Sequence, residues 1–411
     1  MTEPAKTMQR YVVGGFTVLC LAVLLVWLAV RKGPSPASQR PVMVEPPKPH
    51  AQEVPTKFER AAARTNAETA TQPHVSATTN AAALYRQAFD LFNALSDEQK
   101  AALGDWRTNV DAATEAELCE KMRPICDLLH QASAVTNCDW GTDPLTFSTP
   151  LPHLKQAGRI ARAAMWNAAH CRSNDVAGAT DDALSVLQLG HAVSHTVILG
   201  CLMDIAIQDI ASSYVAQHIE SFGADDCQRL SAALDDPSYG EAPSQAFEQE
   251  ADEVEREAAK LATLSEYEAN KELSALIEPN ETRALPARDA AVAALEQIAS
   301  FDQGIAKALG VSLEDGYDVS QRDWAELQVS NPLAGDFFGG LDQFVDRACR
   351  AEVNRALLVA GLAVAQDGVD ALESYPDPAS GESFAYTETA DGFELQSTYQ
   401  MNGKPMTMQF K

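Results

Sequence analysis

Three spacings of apolar residues follow one another along this chain: an unbroken run, then a helical period, then an alternation of two. The run is residues 11–30, YVVGGFTVLCLAVLLVWLAV, which is uncharged and bracketed by Arg10 and by Arg31-Lys32. A bilayer's hydrocarbon core is about 30 Å thick and a helix rises about 1.5 Å per residue, so roughly twenty apolar residues span it. In lipid every backbone N–H must bond within the segment, which predicts a transmembrane helix over 11–30. Gly14, Gly15 and Thr17 are accepted in such helices, and Trp27 suits an interface. A cleaved signal peptide would have an apolar region of about 7–15 residues and a small-residue cleavage site. Here the run is longer and ends in Arg31-Lys32, so it reads as a retained anchor. Lys6 and Arg10 on one side nearly balance Arg31, Lys32 and Arg40 on the other. Long domains translocate largely regardless of charge, so residues 1–10 are expected as a cytoplasmic tail of a single-pass inner-membrane protein, with the C-terminal domain periplasmic.

Residues 31–79 are rich in Pro, Ala and Thr and read as a disordered spacer. Such a composition buries too little apolar surface to offset ordering entropy, and proline keeps it extended. The helical period occupies 80–372. It opens with Leu84, Ala88, Leu91 and Leu95 on one face, Tyr85 and Phe92 beside them, and continues with Leu118, Met122, Ile125, Leu128 and Leu129. Ser96–Gln99 has the form of a helix cap, and Pro124 marks a kink or a new first turn. A proline-containing loop, 138–154, is expected to be anchored by Trp140, Phe147 and Leu151. Helical stretches follow at 154–173, 179–195 and 196–219. The last is apolar, but His191, His195, Asp204, Gln208 and Asp209 recur through the pair, which argues against a second membrane span. In 241–290 Phe247, Ala251, Val254, Ala258 and Leu261 form a stripe opposite Glu248, Glu250, Asp252, Glu253, Glu255 and Glu257, which read as a solvated face.

The alternation of two fills 373–411. SFAYTET, GFELQSTY and PMTMQFK are separated by Asp391-Gly392 and Asn402-Gly403, both strong hairpin signals. The expected apolar face is Phe384, Tyr386, Phe393, Leu395, Met406, Met408 and Phe410. Three such strands are marginal alone, so the meander should pack on the helices. The fold class is therefore mainly α: one N-terminal transmembrane helix and an irregular multi-helix domain closed by a small C-terminal antiparallel β-meander.

Composition narrows the function. The formal net charge over 411 residues is −27. So acidic a body repels phosphate backbones, which excludes nucleic acid as a partner. Eight cysteines occur without a C-x-x-C, so zinc-ribbon and thioredoxin-type motifs are excluded. One or two disulfides are compatible with an oxidising compartment, and Cys171 and Cys201, on successive helices, either pair or pack.

The sharpest chemical constellation is His191 with His195, an i, i+4 pair able to hold a metal from one helix face. The intervening Ala-Val-Ser lacks the acid of H-E-x-x-H, and a third ligand would come from His170, His218 or Asp204. Structural histidines at a helix end are the preferred reading, so His191 and His195 stand as candidates and no metal ligand is assigned. His153 caps or packs at a helix start, Asp139 and Trp140 fasten the loop, and Asp377-Pro378 with Gly381 forms a turn before the meander. Gly339-Gly340 is too short a signal to count, and phosphate loops, G-x-S-x-G and dinucleotide fingerprints do not occur. No catalytic or cofactor-binding residue is assigned.

Two segments carry a resemblance: 138–195, from CDWGTDPLTF to LGHAVSH, and 375–397, YPDPASGESFAYTETADGFELQS, arriving after RACRAEVNRALLVAGLAVA. Together they resemble a broad group of uncharacterised bacterial envelope proteins with an N-terminal anchor and a helical body. The tail is also similar to the C-terminal part of the major pseudopilins of type II secretion systems, although Met8-Gln9-Arg10-Tyr11 stands where those proteins have a prepilin cleavage motif. The resemblance implies no activity. The expectation is thus a membrane-anchored binding or scaffolding module, joined to the bilayer through 11–30 and to a protein partner. A metal-dependent hydrolase using His191 and His195, or a secretion- or pilus-associated component, are the alternatives.

Overall fold

The computed structural model of the protein describes residues 80–142, 150–194, 197–236, 238–276, 285–334, 341–401 and 403–411. All belong to one compact unit, Pro73–Lys411. The expected anchor and spacer, His195, Phe147, Gly339-Gly340 and Asn402 lie outside the described residues. What is described is mainly helical and ends in a three-stranded antiparallel sheet, as the periodicity predicts.

Helix α1 (Ala81–Asn93) starts where the Asn80 side chain accepts the Ala82 N–H at 3.0 Å. It buries Tyr85, Ala88, Phe89 and Phe92, while Leu91, expected on that face, is 42% exposed because the aromatic rings centre the core on its neighbours. Helix α2 (Asp97–Ala102) carries the expected cap as a full capping box between Ser96 and Gln99. Helix α3 (Ala112–Ser133) runs through Pro124 without a break. Met122, Ile125 and Leu129 are buried on either side of that proline, and their packing outweighs the one lost backbone bond. Helices α4 (Pro152–His170), α5 (Val176–Ser194) and α6 (Ile198–Gln217) follow, α4 with a proline in its first turn, where the missing N–H costs nothing. After a 3-10 turn at Ile219–Ser221 come α7 (Ala224–Leu234), α8 (Ser238–Thr263), α9 (Glu266–Leu276), α10 (Arg288–Leu309), α11 (Leu313–Ser330) and α12 (Leu341–Asp367).

The buried side chains form two clusters. The first unites α1, α3, α4, α5, the middle and end of α6, α7, the second half of α12 and the sheet. The second unites α8, α10, α11 and the first half of α12 around Phe247, Leu295, Ile298 and Phe344. α6 and α12 serve both: Ile207, Ala211 and Tyr214 face the first cluster and Cys201 the second, and on α12 Val353 and Leu357 face the first, Phe344 and Cys349 the second. α6 is long and apolar enough to cross a membrane, with mean hydropathy 1.3, yet half of that stretch is buried inside the protein. Shared burial on two sides accounts for its all-round apolarity.

β1 (Ala385–Thr389), β2 (Gly392–Met401) and β3 (Lys404–Phe410) pair in the order β1-β2-β3, with Tyr386 opposite Leu395 and Leu395 opposite Met408. The first turn is Ala390-Asp391, one residue earlier than the Asp-Gly signal reads. Gly392 follows at φ +128°, where a Cβ would meet the Phe410 carbonyl oxygen. β2 and β3 lie on α12, whose Gly361 leaves room for the buried Phe410 ring, and the Lys411 N–H donates to the Ala216 carbonyl of α6 at 3.0 Å. Phe384, Leu395, Met406 and Phe410 are buried as expected. Tyr386 is 39% exposed, its ring stacked on Phe393 at 5.6 Å, because β1 overhangs the helices.

The expected turn at Asp377 does more than reverse the chain. Its carbonyl accepts the Gly381 N–H at 2.7 Å. Its buried carboxylate accepts the Thr398 N–H at 2.7 Å, the Thr398 hydroxyl at 2.8 Å and the Ser397 hydroxyl at 2.9 Å. These bonds fill the register irregularity of β2 between Gln396 and Gln400.

Candidate functional site

Where α6 and α12 pass from one cluster to the other, they and α8 enclose a small cleft. Asp204 and Gln208, one turn apart on α6, Tyr239 of α8, and Glu352 and Arg355 of α12 supply its polar lining, with Cys201 beside them. Alanines on α8 and α12 let the helices approach, and the free volume is about 20 Å³, room for roughly one water.

Asp204 is the central group. It is 2% exposed, and its Oδ1 has no hydrogen-bond partner. Burial pushes its carboxyl up to about 7, against the smaller opposing pull of the Gln208 hydrogen bond and the Arg355 charge. Arg355 is itself engaged: it pairs with Glu352, donates to the Leu234 carbonyl at 3.0 Å, and stands 5.8 Å from the Tyr239 ring. Burial, and then the Asp204 charge, raises the Tyr239 hydroxyl and the Cys201 thiol above their ordinary values. Near neutral pH the cleft therefore holds a carboxyl that exchanges a proton, beside a phenol and a thiol that stay protonated.

His191 ends α5 on the other contact of Tyr239, edge-on to its ring at 5.7 Å. Burial lowers its pKa, and Asp236 opposes that shift. His195 cannot be placed against it, lying outside the described residues. Of the proposed third ligands, Asp204 lines the cleft with Tyr239, whereas His170 and His218 are engaged elsewhere. His170 Nε2 bonds the Trp106 carbonyl at 3.1 Å and its ring stacks on Trp166. His218 Nδ1 bonds the Tyr214 carbonyl at 2.9 Å and its ring stacks on Tyr214. Among the described residues no three His, Cys, Asp or Glu side chains are grouped to hold a metal.

His153 stacks on Trp140 at 4.3 Å, and burial, with the Arg86 charge second, lowers it to about 4, so it packs as a neutral ring. Asp139 and Trp140 fasten the loop as expected: Asn80 bonds the Asp139 backbone in both directions, and the Trp140 indole donates to the Ala192 carbonyl at 2.8 Å.

A polar hub escaped the sequence reading. Asp182 of α5, fully buried, bonds His130 Nε2 at 2.8 Å and accepts from Asn167 Nδ2 at 2.7 Å, with Arg172 Nε 4.0 Å away. The hydrogen bond to Asp182 raises the pKa of His130. Cys126 also bonds Asp182, but burial comes first in pushing its thiol up. An aspartate inside the apolar period Ala179, Ala183, Val186 was the one available signal. Nearby, Cys119 and Cys171 form a disulfide with Cα atoms 5.6 Å apart, so Cys171 joins α3 rather than Cys201, which is buried toward the second cluster. In that second cluster Asp302 is fully buried with neither carboxylate oxygen hydrogen-bonded, and burial, then Glu250, raises it. Glu250, read as solvated, is turned inward and pushed up to about 7 by burial and then Glu253.

Comparison with family models, curated proteins and solved structures finds no match to this chain.

Proposed function

We propose that the chain is a single-pass, membrane-anchored envelope protein whose acidic helical body stands in an oxidising compartment and acts as a binding or scaffolding module. The observation that carries this reading is the Cys119–Cys171 disulfide, since such bridges persist outside the cytosol. The thiols argue against cysteine nucleophilic chemistry. Burial raises the thiols of Cys126, Cys201 and Cys227, that of Cys138 to about 11 and that of Cys349 to about 12, away from the thiolate a nucleophile needs.

A reporter active only in the periplasm, fused after Lys411, tests the placement, together with alkylation of Cys119 and Cys171 in cells before and after reduction. Reporter activity with alkylation only after reduction is expected; an inactive reporter with both thiols open would sink the reading. Cross-linking from intact membranes should then recover a protein partner, and a pilin-like partner would select the secretion-associated form.

A further inference from the structure

β1 is the outer strand of the sheet, and all five of its residues are exposed. It joins β2 through a two-residue turn that closes on the Thr389–Gly392 pair. Bonded and non-bonded pairs alternate in an antiparallel ladder, and so tight a closure requires the closing pair to be a bonded one. Thr389, Thr387 and Ala385 therefore direct their main-chain groups to β2. The N–H and C=O of Tyr386 and Glu388 point outward, away from the sheet. The opposite margin is fastened at its end by the bond from Lys411, just past β3, to Ala216. Proteins commonly blunt an open edge with lysine, proline or a bulge. β1 has neither residue type, its one charge being Glu388, and the sheet's irregularity lies between β2 and β3.

The charge around this edge has one sign. From Ala356 to Gly403 the chain contains eight carboxylates and no Lys, Arg or His. Glu382 and Asp391 flank the strand and Glu388 lies in it, all three exposed. Glu388 and Tyr386 share one face of β1, being two residues apart.

We infer that the β1 edge is a docking edge for an extended, Lys- or Arg-bearing segment of a partner protein, which adds to the sheet as a fourth strand. The outward groups of Tyr386 and Glu388 supply the main-chain bonds of strand addition. A cationic side chain of the incoming strand falls beside Glu388 and over the exposed Tyr386 ring. A second copy of this chain fits less well, since each copy brings a net charge of −27 and its own Glu388. The inference rests on the reading of the body as a binding module, but its test does not share that reading's readout, so failure here leaves the topology and cross-linking results standing.

The full-length chain in detergent micelles is titrated into a fluorescein-labelled eight-residue peptide of alternating lysine and valine, with alternating glutamate and valine as the comparison. Saturable anisotropy is expected for the lysine peptide alone. Glu388→Pro removes one outward N–H while leaving the ladder to β2 intact, as proline on an edge strand does. It should weaken binding roughly tenfold, about the effect of one or two lost hydrogen bonds, with an unchanged thermal transition. Glu388→Lys keeps the N–H and should weaken the lysine peptide while admitting the glutamate one, so the test survives if the proline variant fails to fold. No saturable binding, or equal binding by Glu388→Pro, overturns the proposal. Self-association of the peptide-free chain that Glu388→Pro abolishes would overturn the choice of partner in favour of a second copy.

Discussion

Gly190 of α5 and Asp204 of α6 meet so closely that a Cβ on the glycine would lie 2.5 Å from the Asp204 Oδ1. The buried carboxyl occupies the space a side chain would take, and this fixes where α5 can lie against the cleft. Gly190→Ala should therefore destabilise the protein by about 1–3 kcal/mol through overpacking, despite alanine's better helix propensity. Gly304 in α10 is the control, because nothing lies within 4 Å of its Cβ position. Gly304→Ala should stabilise by up to about 1 kcal/mol. Thermal unfolding of both variants checks the pair, and a shift of the same sign in each would contradict the packing argument.

Asp204 makes stability fall as pH rises. Its folded pKa is about 7 against an ordinary 3.8, so the folded state binds more protons than the unfolded one between those values. Stability linked to this group is full below about pH 4, declines through the window, and levels off above about pH 7. Asp204→Asn removes the titration while keeping the size. The denaturation midpoint of Asp204→Asn minus that of the wild type should grow from pH 4 to pH 7 and then stay constant. Asp302→Asn should show the same direction, since burial and Glu250 also raise Asp302. A difference independent of pH would show that these carboxyls are solvated in the folded protein.

The helices and the sheet were legible because each writes its period into its own residues: Leu118, Met122, Ile125 and Leu129 do so for α3, and Leu395, Met406 and Phe410 for the sheet. The cap at Ser96 and Gln99 is equally local. The polar interior was not legible. Asp182, Asp204 and Asp302 sit within apolar periods, and whether such a residue is buried depends on which helix crosses it, which a single helix's pattern does not specify. Tyr386 failed for the same reason: its alternation is right, but every residue of β1 is exposed. The His191 and His195 pair illustrates the limit at a site, since i, i+4 spacing gives two donors and only the fold decides that His170 and His218 are used elsewhere.

The Cys119–Cys171 bridge should contribute about 4 kcal/mol by restricting the unfolded chain over a separation of 52 residues. Cys119→Ser and Cys171→Ser should each lower the unfolding midpoint, and the double variant should lower it no further, because either change already opens the loop. Additive losses would mean that the two residues are not joined.

Asp377 holds the meander together from outside it. Asp377→Ala would leave the Thr398 N–H and the Ser397 and Thr398 hydroxyls without their shared acceptor, at a cost of about 3 kcal/mol or more for bonds to a charged group. The loss is local: the irregular middle of β2 opens, and with it the pairing that holds β1. Hydrogen exchange should show faster exchange across 385–410 while the amides of α3, α4 and α5 keep their protection. The lysine–valine peptide should bind this variant less well, because an outer strand cannot receive a partner once its inner neighbour is loose. Asp377→Asn separates charge from geometry. It retains one acceptor oxygen and should fall between the wild type and Asp377→Ala in both exchange and peptide binding.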